Sequence, residues 1–244
     1  MKIDILTLFP RMFDGVLQES IIKRAIEKDL VEIEAIDFRI FSEDKHNRVD
    51  DYPFGGGAGM VIKPEPIARA LKSIEGYEDA RVIYMSPKGS VLNQKKSNEL
   101  AEDNHLIIIC GHYEGIDQRF IDNYVDEEIS IGDYVLTGGE IPAMALVDTI
   151  VRLLPDALGK QESYEEDSHY KGLLEYPHYT RPRVFEGEEV PEVLLSGHHA
   201  NVDKWRHEKS LEITAKNRPD MIEKYDLTKN DIKYLKEKGY GIKK

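Results

Sequence analysis

The sequence has very little cysteine and no long apolar run. Its 244 residues include one cysteine, Cys110, which excludes an internal disulfide and any zinc site built from several cysteines. We expect Cys110, at the end of the apolar run 106–109, to be a small buried hydrophobe. No apolar run is long enough to span a bilayer. The first ten residues, MKIDILTLFP, are typical of a strand and not of a signal peptide. We therefore expect a cytoplasmic protein without a membrane partner.

Positive charge is also scarce, and it is unevenly distributed. The formal net charge is −13 at pH 7, which argues against indiscriminate binding of nucleic acid. Residues 201–244, however, contain 12 Lys and Arg against 8 Asp and Glu, a net charge of +4, which leaves −17 for the first 200 residues. A basic C-terminal segment permits a polyanionic partner at one end of the protein. Charge alone favours the plainer interpretation, a solvated helical surface.

Several common catalytic and phosphate-binding motifs are missing. The glycine-rich segment 55–59 is not followed by Gly-Lys-Ser/Thr and lacks the spacing of a dinucleotide fingerprint. A flexible loop and a close approach of backbone to a ligand both remain open for it. The eight histidines form no HExxH pattern, and GxSxG is absent. We expect neither a metal site made of protein ligands nor covalent acyl chemistry.

Short β-type runs alternate with helical patterns through the first 158 residues. Such alternation predicts βαβ units and an α/β fold with a mainly parallel sheet. The predicted strands are 3–9, 31–36, 82–85, 106–110 and 125–131, and the predicted helices are 15–28, 67–74, 94–101, 117–123 and 140–153.

The composition changes after Leu158. Residues 159–172 are polar and acidic, without apolar periodicity, and are typical of a linker or lid. The proline-rich stretch 176–199 should be extended and irregular, and a helical pattern begins at Asn201. We therefore predict a domain of residues 1–159, a linker or lid of residues 160–172, and a mainly helical domain of residues 173–244.

Three glycine-containing turns follow predicted strands, at 86–89, 111–115 and 132–139. In open α/β sheets ligands bind beyond the carboxyl ends of the strands, so the three turns predict one pocket lined by backbone. The stretch 111–142 is rich in carboxylates and contains a single basic residue, Arg119. This charge balance favours a neutral or cationic ligand over a phosphate.

Two further features have plain interpretations. Arg152, near the end of the helix 140–153, would offset the helix dipole. The acidic cluster Glu165, Glu166 and Asp167 would be a solvated part of the linker. Local pattern alone assigns neither of them a role in chemistry.

Seven ordered blocks along the chain nevertheless carry a specific resemblance. The sequence resembles the bacterial tRNA (guanine-N1)-methyltransferases that act on guanosine 37 beside the anticodon, the TrmD family of the knotted SPOUT methyltransferases. The blocks are LFP (8–10), VDDYPFGGGAGM (49–60), YMSPKG (84–89), CGHYEGID (110–117), SIGDYVLTGGEIPAM (130–144), LLEYPHYTRP (173–182) and VPEVLLSGHHANVDKWR (190–206).

The resemblance implies an architecture and partners. The parallel sheet with its flanking helices would contain a deep trefoil knot at its C-terminal end, and a small helical C-terminal domain would grip the anticodon stem-loop of tRNA. The knot would hold S-adenosylmethionine as cofactor. The protein would be a homodimer whose active sites are shared between chains. Mg²⁺ would have no fixed structural site, although Glu114 would attract it.

The resemblance also implies site residues. Asp167 would be the general base and Arg152 its arginine partner. The neighbours Tyr164, Glu165, His169 and Tyr170 vary between family members, and His112 stands where many members have arginine. The implied substrate-binding residues are Gly57, Gly59, Lys204, Arg206 and Lys209. The implied cofactor-binding residues are Tyr84, Met85, Ser86, Pro87, Gly89, Gly111, Tyr113, Glu114, Gly115, Ser130, Ile131, Gly132, Asp133, Tyr134, Val135, Leu136, Gly138, Gly139 and Pro142.

Two other classes of protein are alternatives to a methyltransferase. A nucleotide-dependent oxidoreductase with a doubly wound sheet would need the glycine fingerprint and a following ribose-binding acid, and the sequence lacks them. A non-catalytic RNA-binding protein of the same fold would have no need of Asp167 and Arg152, which are both intact.

Overall fold

A computed structural model describes residues 1–158 and 167–241. The chain divides into two compact units, Met1–Gln161 and Glu162–Lys244. Most of the predicted linker, including Tyr164, Glu165 and Glu166, lies outside the described residues. The functional division into residues 1–159, 160–172 and 173–244 stays a prediction.

The first unit is built on a five-stranded parallel sheet. Its strand order is β2-β1-β6-β5-β7, and every neighbouring pair is parallel. This arrangement confirms the predicted α/β fold with a parallel sheet. The strands are β1 (Lys2–Thr7), β2 (Glu32–Asp37), β5 (Arg81–Val91), β6 (His105–Cys110) and β7 (Glu127–Ser130).

Helices cover both faces of this sheet. On one face Ile108 of β6 belongs to a buried cluster with Leu146 and Val147, and on the other face Ile109 belongs to a cluster with Ile67 and Phe120. A strand buried on both faces must be apolar throughout, which explains the uninterrupted run 106–110. The helices are α1 (Asp14–Leu17), α2 (Ser20–Glu27), α3 (Pro64–Lys72), α4 (Gln94–Leu100), α5 (Gln118–Tyr124) and α6 (Glu140–Val151).

Strand β5 is longer than predicted. The sequence ends it at Met85, whereas the structure continues it to Val91 with a register shift between Met85 and Ser90 against β7. The residues between them, including Pro87, form a bulge, because proline cannot donate a ladder hydrogen bond. A Cβ at Gly89 would overlap the Glu128 main chain, so only glycine allows pairing to resume there.

The predicted helix 15–28 is two helices in the structure. α1 ends at Leu17, and α2 begins at Ser20, whose φ is +55°. Two very short strands, β3 (Asp50–Asp51) and β4 (Val61–Ile62), form an antiparallel pair around the glycine-rich segment. Strands of two residues leave no periodicity in the sequence, so the pattern did not predict this hairpin.

The second unit has its own small core of Leu211, Ile222 and Leu235. The stretch predicted to be irregular, 176–199, contains a hairpin and a short helix. The hairpin is β8 (Val184–Phe185) with β9 (Glu188–Glu189), and the helices of this unit are α7 (Glu192–Leu195), α8 (His199–Asn217), α9 (Pro219–Lys224) and α10 (Lys229–Glu237).

Candidate active site

A cavity of about 270 Å³ lies at the bulge of β5 and beyond the carboxyl ends of β6 and β7. The three glycine-containing turns of the sequence meet there. Of the implied cofactor-binding residues, Gly89, Gly132 and Asp133 do not line the cavity. The others do: Tyr84, Met85, Ser86, Pro87, Gly111, Tyr113, Glu114, Gly115, Ser130, Ile131, Tyr134, Val135, Leu136, Gly138, Gly139 and Pro142.

Main-chain hydrogen bonds hold these turns together. The Gly139 N–H donates to the Gly111 carbonyl at 2.9 Å, and His112 and Gly138 form an isolated antiparallel bridge. The 111–115 turn is tied in turn to the β3–β4 hairpin, because the Glu114 N–H donates to the Met60 carbonyl at 3.0 Å. Backbone contacts therefore join the 111–115 turn both to the 138–139 turn and to the β3–β4 hairpin.

The glycines of the cavity are needed because the protein itself occupies the space beside them. A Cβ at Gly111 would lie 2.7 Å from the Tyr84 hydroxyl oxygen, and one at Gly139 would lie 2.7 Å from the Cys110 Cα. These glycines let the turns close on one another, which is a different need from admitting a ligand.

The implied substrate-binding glycines differ in their surroundings. A Cβ at Gly59 would overlap the Glu114 side chain, so Gly59 packs directly against the rim of the cavity. Gly57 has a φ of +128° and nothing within 4 Å of the position of a Cβ. Gly59 therefore packs against the site, and both glycines have a positive φ, +84° at Gly59 and +128° at Gly57, which favours glycine.

Two buried titratable groups close to the cavity, Tyr84 in its lining and Cys110 next to Gly111, are not suited to proton transfer. Burial and the nearby Glu128 raise the pKa of Tyr84 to about 12. Burial, with Glu140 close by, raises the pKa of the Cys110 thiol well above its usual range. Both groups stay protonated and neutral at ordinary pH.

The structure adds a hydrogen-bonded group that no sequence pattern singles out. The buried Glu140 carboxylate accepts a hydrogen bond from the Thr7 hydroxyl at 2.7 Å and lies 2.8 Å from the Nε2 of His112. Thr7 and Glu140 are 133 positions apart, so no local spacing could have linked them. Further lining residues outside the prediction are Lys88, His112, Ile116, Ile121, Ile129 and Thr137.

The two implied catalytic residues belong to different units. Arg152 is the C-cap residue of α6, and its N–H donates to the Asp148 carbonyl at 3.3 Å. Asp167 is half-buried in the second unit, where its carbonyl accepts from the Tyr170 N–H at 3.3 Å.

The three implied basic contacts lie on α8 of the second unit. The Arg206 guanidinium lies over the Tyr176 ring at 4.9 Å. Lys209 is engaged with Glu212 at 2.8 Å, whereas Lys204 is 74% exposed and 3.7 Å from Glu208.

The described residues contain neither a metal-ligand cluster nor a membrane-spanning helix. Within residues 1–158 and 167–241, no group of three His, Cys, Asp or Glu side chains could hold a metal ion. In the same ranges no helix combines the length and the apolarity that crossing a bilayer requires.

Comparisons with known proteins give one consistent result. Residues 1–224 match the family model described as tRNA (Guanine-1)-methyltransferase TrmD. A protein of Staphylococcus aureus (strain MRSA252) is 55% identical over 244 residues, which is 100% of both chains. Proteins of Staphylococcus carnosus (strain TM300) and Staphylococcus haemolyticus (strain JCSC1435) are 56% and 55% identical over 235 residues, 96% of each chain. All three relatives carry the name tRNA (guanine-N(1)-)-methyltransferase.

Proposed function

The chain belongs to the tRNA (guanine-1)-methyltransferase family, and we propose that guanosine 37, beside the anticodon, is the target at which it methylates guanine N1 in tRNA. The match over residues 1–224 and the identity over the full length carry the reaction type. The observation that supports a donor site is the cavity where the three turns meet, since it lies within the matched residues.

We propose that S-adenosylmethionine binds in this cavity. Apolar side chains such as Met85, Ile131 and Leu136 offer walls for an adenine ring, and the turns offer main-chain N–H and carbonyl groups. Lys88 is the one lysine or arginine of the lining, so the site is poor in the charge that a phosphate would need. The cofactor supplies a methyl group on a sulfonium centre, whose positive charge suits the Glu114 carboxylate of the lining.

We further propose that the first unit contains the deep trefoil knot of the SPOUT methyltransferases. In such a fold the 131–139 turn and α6 pass through a loop of the preceding chain. The close approach of Gly139 to Cys110 and the burial of six α6 residues fit this path. A threaded site cannot open without large rearrangement, so its turns would be preorganised for the donor.

The chemistry that the protein must supply is removal of the N1 proton. Guanine N1 is protonated at neutral pH and is a poor nucleophile. We assign the Asp167 carboxylate as the base that accepts this proton, and Arg152 as the donor that stabilises negative charge developing on O6. A carboxylate is a weak base. It is effective here because the N1 proton becomes more acidic as N1 bonds to carbon.

The quaternary structure follows from the same proposal. We propose a homodimer in which Arg152 and Asp167 of one active site come from different chains. Large apolar side chains are exposed in segments that line or flank the cavity, among them Met12, Tyr113, Val135 and Ile141. Exposed apolar side chains grouped in this way are typical of an interaction surface.

The tRNA would be held in part by α8. The Arg206 side chain packs on Tyr176, its Nε lacks an acceptor among the described residues, and Asp203 is 3.9 Å away. Its Nε is buried, but the side chain is 38% exposed, so the terminal N–H groups are open to a phosphate. Lys204 is exposed, whereas Lys209 would have to leave Glu212 to make the same contact. Since the substrate is tRNA, we propose that the protein works in the cytoplasm.

The reaction is tested by identifying the methylated nucleoside. The protein is incubated with an unmodified tRNA transcript and S-adenosylmethionine that carries a deuterated methyl group, and the digested RNA is analysed by mass spectrometry. We expect labelled 1-methylguanosine. Labelled N2- or N7-methylguanosine in its place would overturn the assignment of N1.

A further inference from the structure

A buried carboxylate lies beside the cavity and has no part in the chemistry proposed above. Glu140, the first residue of α6, is 1% exposed. Its Oε1 accepts from the Thr7 hydroxyl at 2.7 Å, and its Oε2 is 2.8 Å from the His112 Nε2. Because a buried carboxylate is costly unless its oxygens have donors, both contacts are required for this arrangement.

The two contacts join three separate segments of the first unit. Thr7 ends β1, and its oxygen also accepts from the Phe9 N–H at 2.9 Å. His112 belongs to the 111–115 turn, and Glu140 directly follows Gly138 and Gly139. Two of these segments line the cavity, so the carboxylate fixes one wall relative to the other.

The local packing fixes the orientation of the His112 ring. A Cβ at Gly138 would overlap the His112 Nε2 and would lie 2.5 Å from the Glu140 Oε2. The His112 ring packs against Phe9 with ring centroids 4.8 Å apart. The ring is therefore held with Nε2 towards Glu140, and Gly138 has no side chain because the bond occupies that space.

We propose that Thr7, Glu140 and His112 form a positioning triad that sets the 111–115 turn against the 138–139 turn for the methyl donor. The proposal rests on the donor site assigned to this cavity. The triad acts through the backbone of the turns and not on the reacting atoms. Its loss should therefore weaken donor binding and raise the KM for S-adenosylmethionine, while kcat at saturating donor stays close to that of the wild type.

The property that matters at position 112 is an N–H donor to Glu140. His112→Phe keeps an aromatic ring against Phe9 and removes the donor. His112→Arg restores N–H donors at that position. A role limited to filling space would be kept by phenylalanine and disturbed by arginine, so the two variants separate the triad from plain packing.

A second histidine–carboxylate pair in the same sheet is a matched control. His105 Nε2 lies 2.6 Å from Asp4 Oδ2, and it joins β6 to β1 near the ends of these strands opposite to the cavity. The exposures match closely: Asp4 and Glu140 are each 1% exposed, and the His105 and His112 side chains 14% and 18%. Asp4 also has the Lys2 ammonium at 3.1 Å, so His105→Phe removes one of its two partners, at similar burial and away from the cavity.

Titration calorimetry with S-adenosylhomocysteine, the demethylated product of the donor, tests the triad. We expect His112→Phe to weaken binding by roughly ten- to a hundredfold, the effect of one lost hydrogen bond to a charged group. His112→Arg and His105→Phe should bind like the wild type. Steady-state kinetics should show the matching rise in KM without a fall in kcat.

Three results would overturn the triad alone: wild-type affinity in His112→Phe, equal weakening in His105→Phe, or a loss confined to kcat. If His112→Phe does not fold, Thr7→Val removes the hydroxyl donor to Glu140 together with the acceptor for the Phe9 N–H, and unchanged binding by that variant would also overturn the triad. A wild-type protein that methylates tRNA but binds no S-adenosylhomocysteine would overturn the donor site, and the triad with it.

Discussion

Asp167 and Arg152 are the side chains on which the proposed proton removal depends. Arg152 is not among the residues that line the cavity, and in the proposed mechanism the residues that hold the donor and those that activate guanine are separate sets. Substitution of a catalytic residue should therefore leave donor affinity intact, and substitution of a cavity residue should change it. This separation makes single substitutions informative.

Asp167→Asn tests the base. The amide is similar in size but cannot accept the N1 proton, so we expect single-turnover methyl transfer to fall by about 10²–10⁴-fold, the usual contribution of a general base. Affinity for S-adenosylhomocysteine should be unchanged. Asp226→Asn, at an exposed carboxylate of the same unit, is the control and should react normally. A wild-type rate in Asp167→Asn would remove Asp167 from the mechanism.

Tyr84 gives the site a pH dependence in stability. Its pKa is raised to about 12 in the folded protein, so the folded state retains the proton that the unfolded chain loses near pH 10. The stability due to this group is full below pH 10 and is lost as pH rises to about 12, a change on the order of 2–3 kcal/mol. Urea unfolding at several pH values should show this loss in the wild type relative to Tyr84→Phe. Parallel curves for the two proteins would contradict the burial of a protonated phenol.

The strands and turns around the cavity show which structural elements the local sequence pattern can predict. An apolar run followed by glycine marked the end of β6, because strands buried on both faces cannot contain polar residues. The β3–β4 hairpin escaped prediction because strands of two residues leave no periodicity, and the bulge at Pro87 escaped it because the pairing depends on the distant strand β7. Glu140 escaped for the same reason: its donors lie on β1 and on the turn after β6.

Substitution of Gly139 tests how closely the 138–139 turn packs against Cys110 and Gly111. It has a φ of −81°, which alanine adopts freely, but a Cβ would lie 2.7 Å from the Cys110 Cα and 3.0 Å from the Gly111 nitrogen. Backbone atoms cannot move away as a side chain can, so we expect Gly139→Ala to lower the free energy of unfolding by about 1–3 kcal/mol. Donor affinity should fall as well.

Gly15→Ala is the matched control for this substitution. Gly15 lies in α1 and has nothing within 4 Å of a Cβ, so alanine should be neutral or slightly stabilising there. Urea denaturation of both variants measures the difference. Equal stability of the two would show that the turns do not close as tightly as the contacts indicate.

The whole molecule has its implied catalytic residues in two compact units. If each active site of the proposed homodimer takes Arg152 from one chain and Asp167 from the other, two inactive variants should complement each other. Co-expressed Arg152→Ala and Asp167→Asn should recover about a quarter of wild-type activity. About half of the dimers are then mixed, and each mixed dimer has one intact site. No recovery in isolated mixed dimers would place both residues of a site on one chain.

The proposed mechanism and active site depend on one claim, that the protein methylates N1 of guanosine 37. Two unmodified tRNA transcripts that differ only in guanosine or adenosine at position 37 test it most directly, with transfer of labelled methyl groups measured in parallel. We predict 1-methylguanosine in the guanosine transcript and no label in the adenosine transcript. Equal labelling of the two transcripts would place the methylated guanosine elsewhere in the tRNA and would contradict the account.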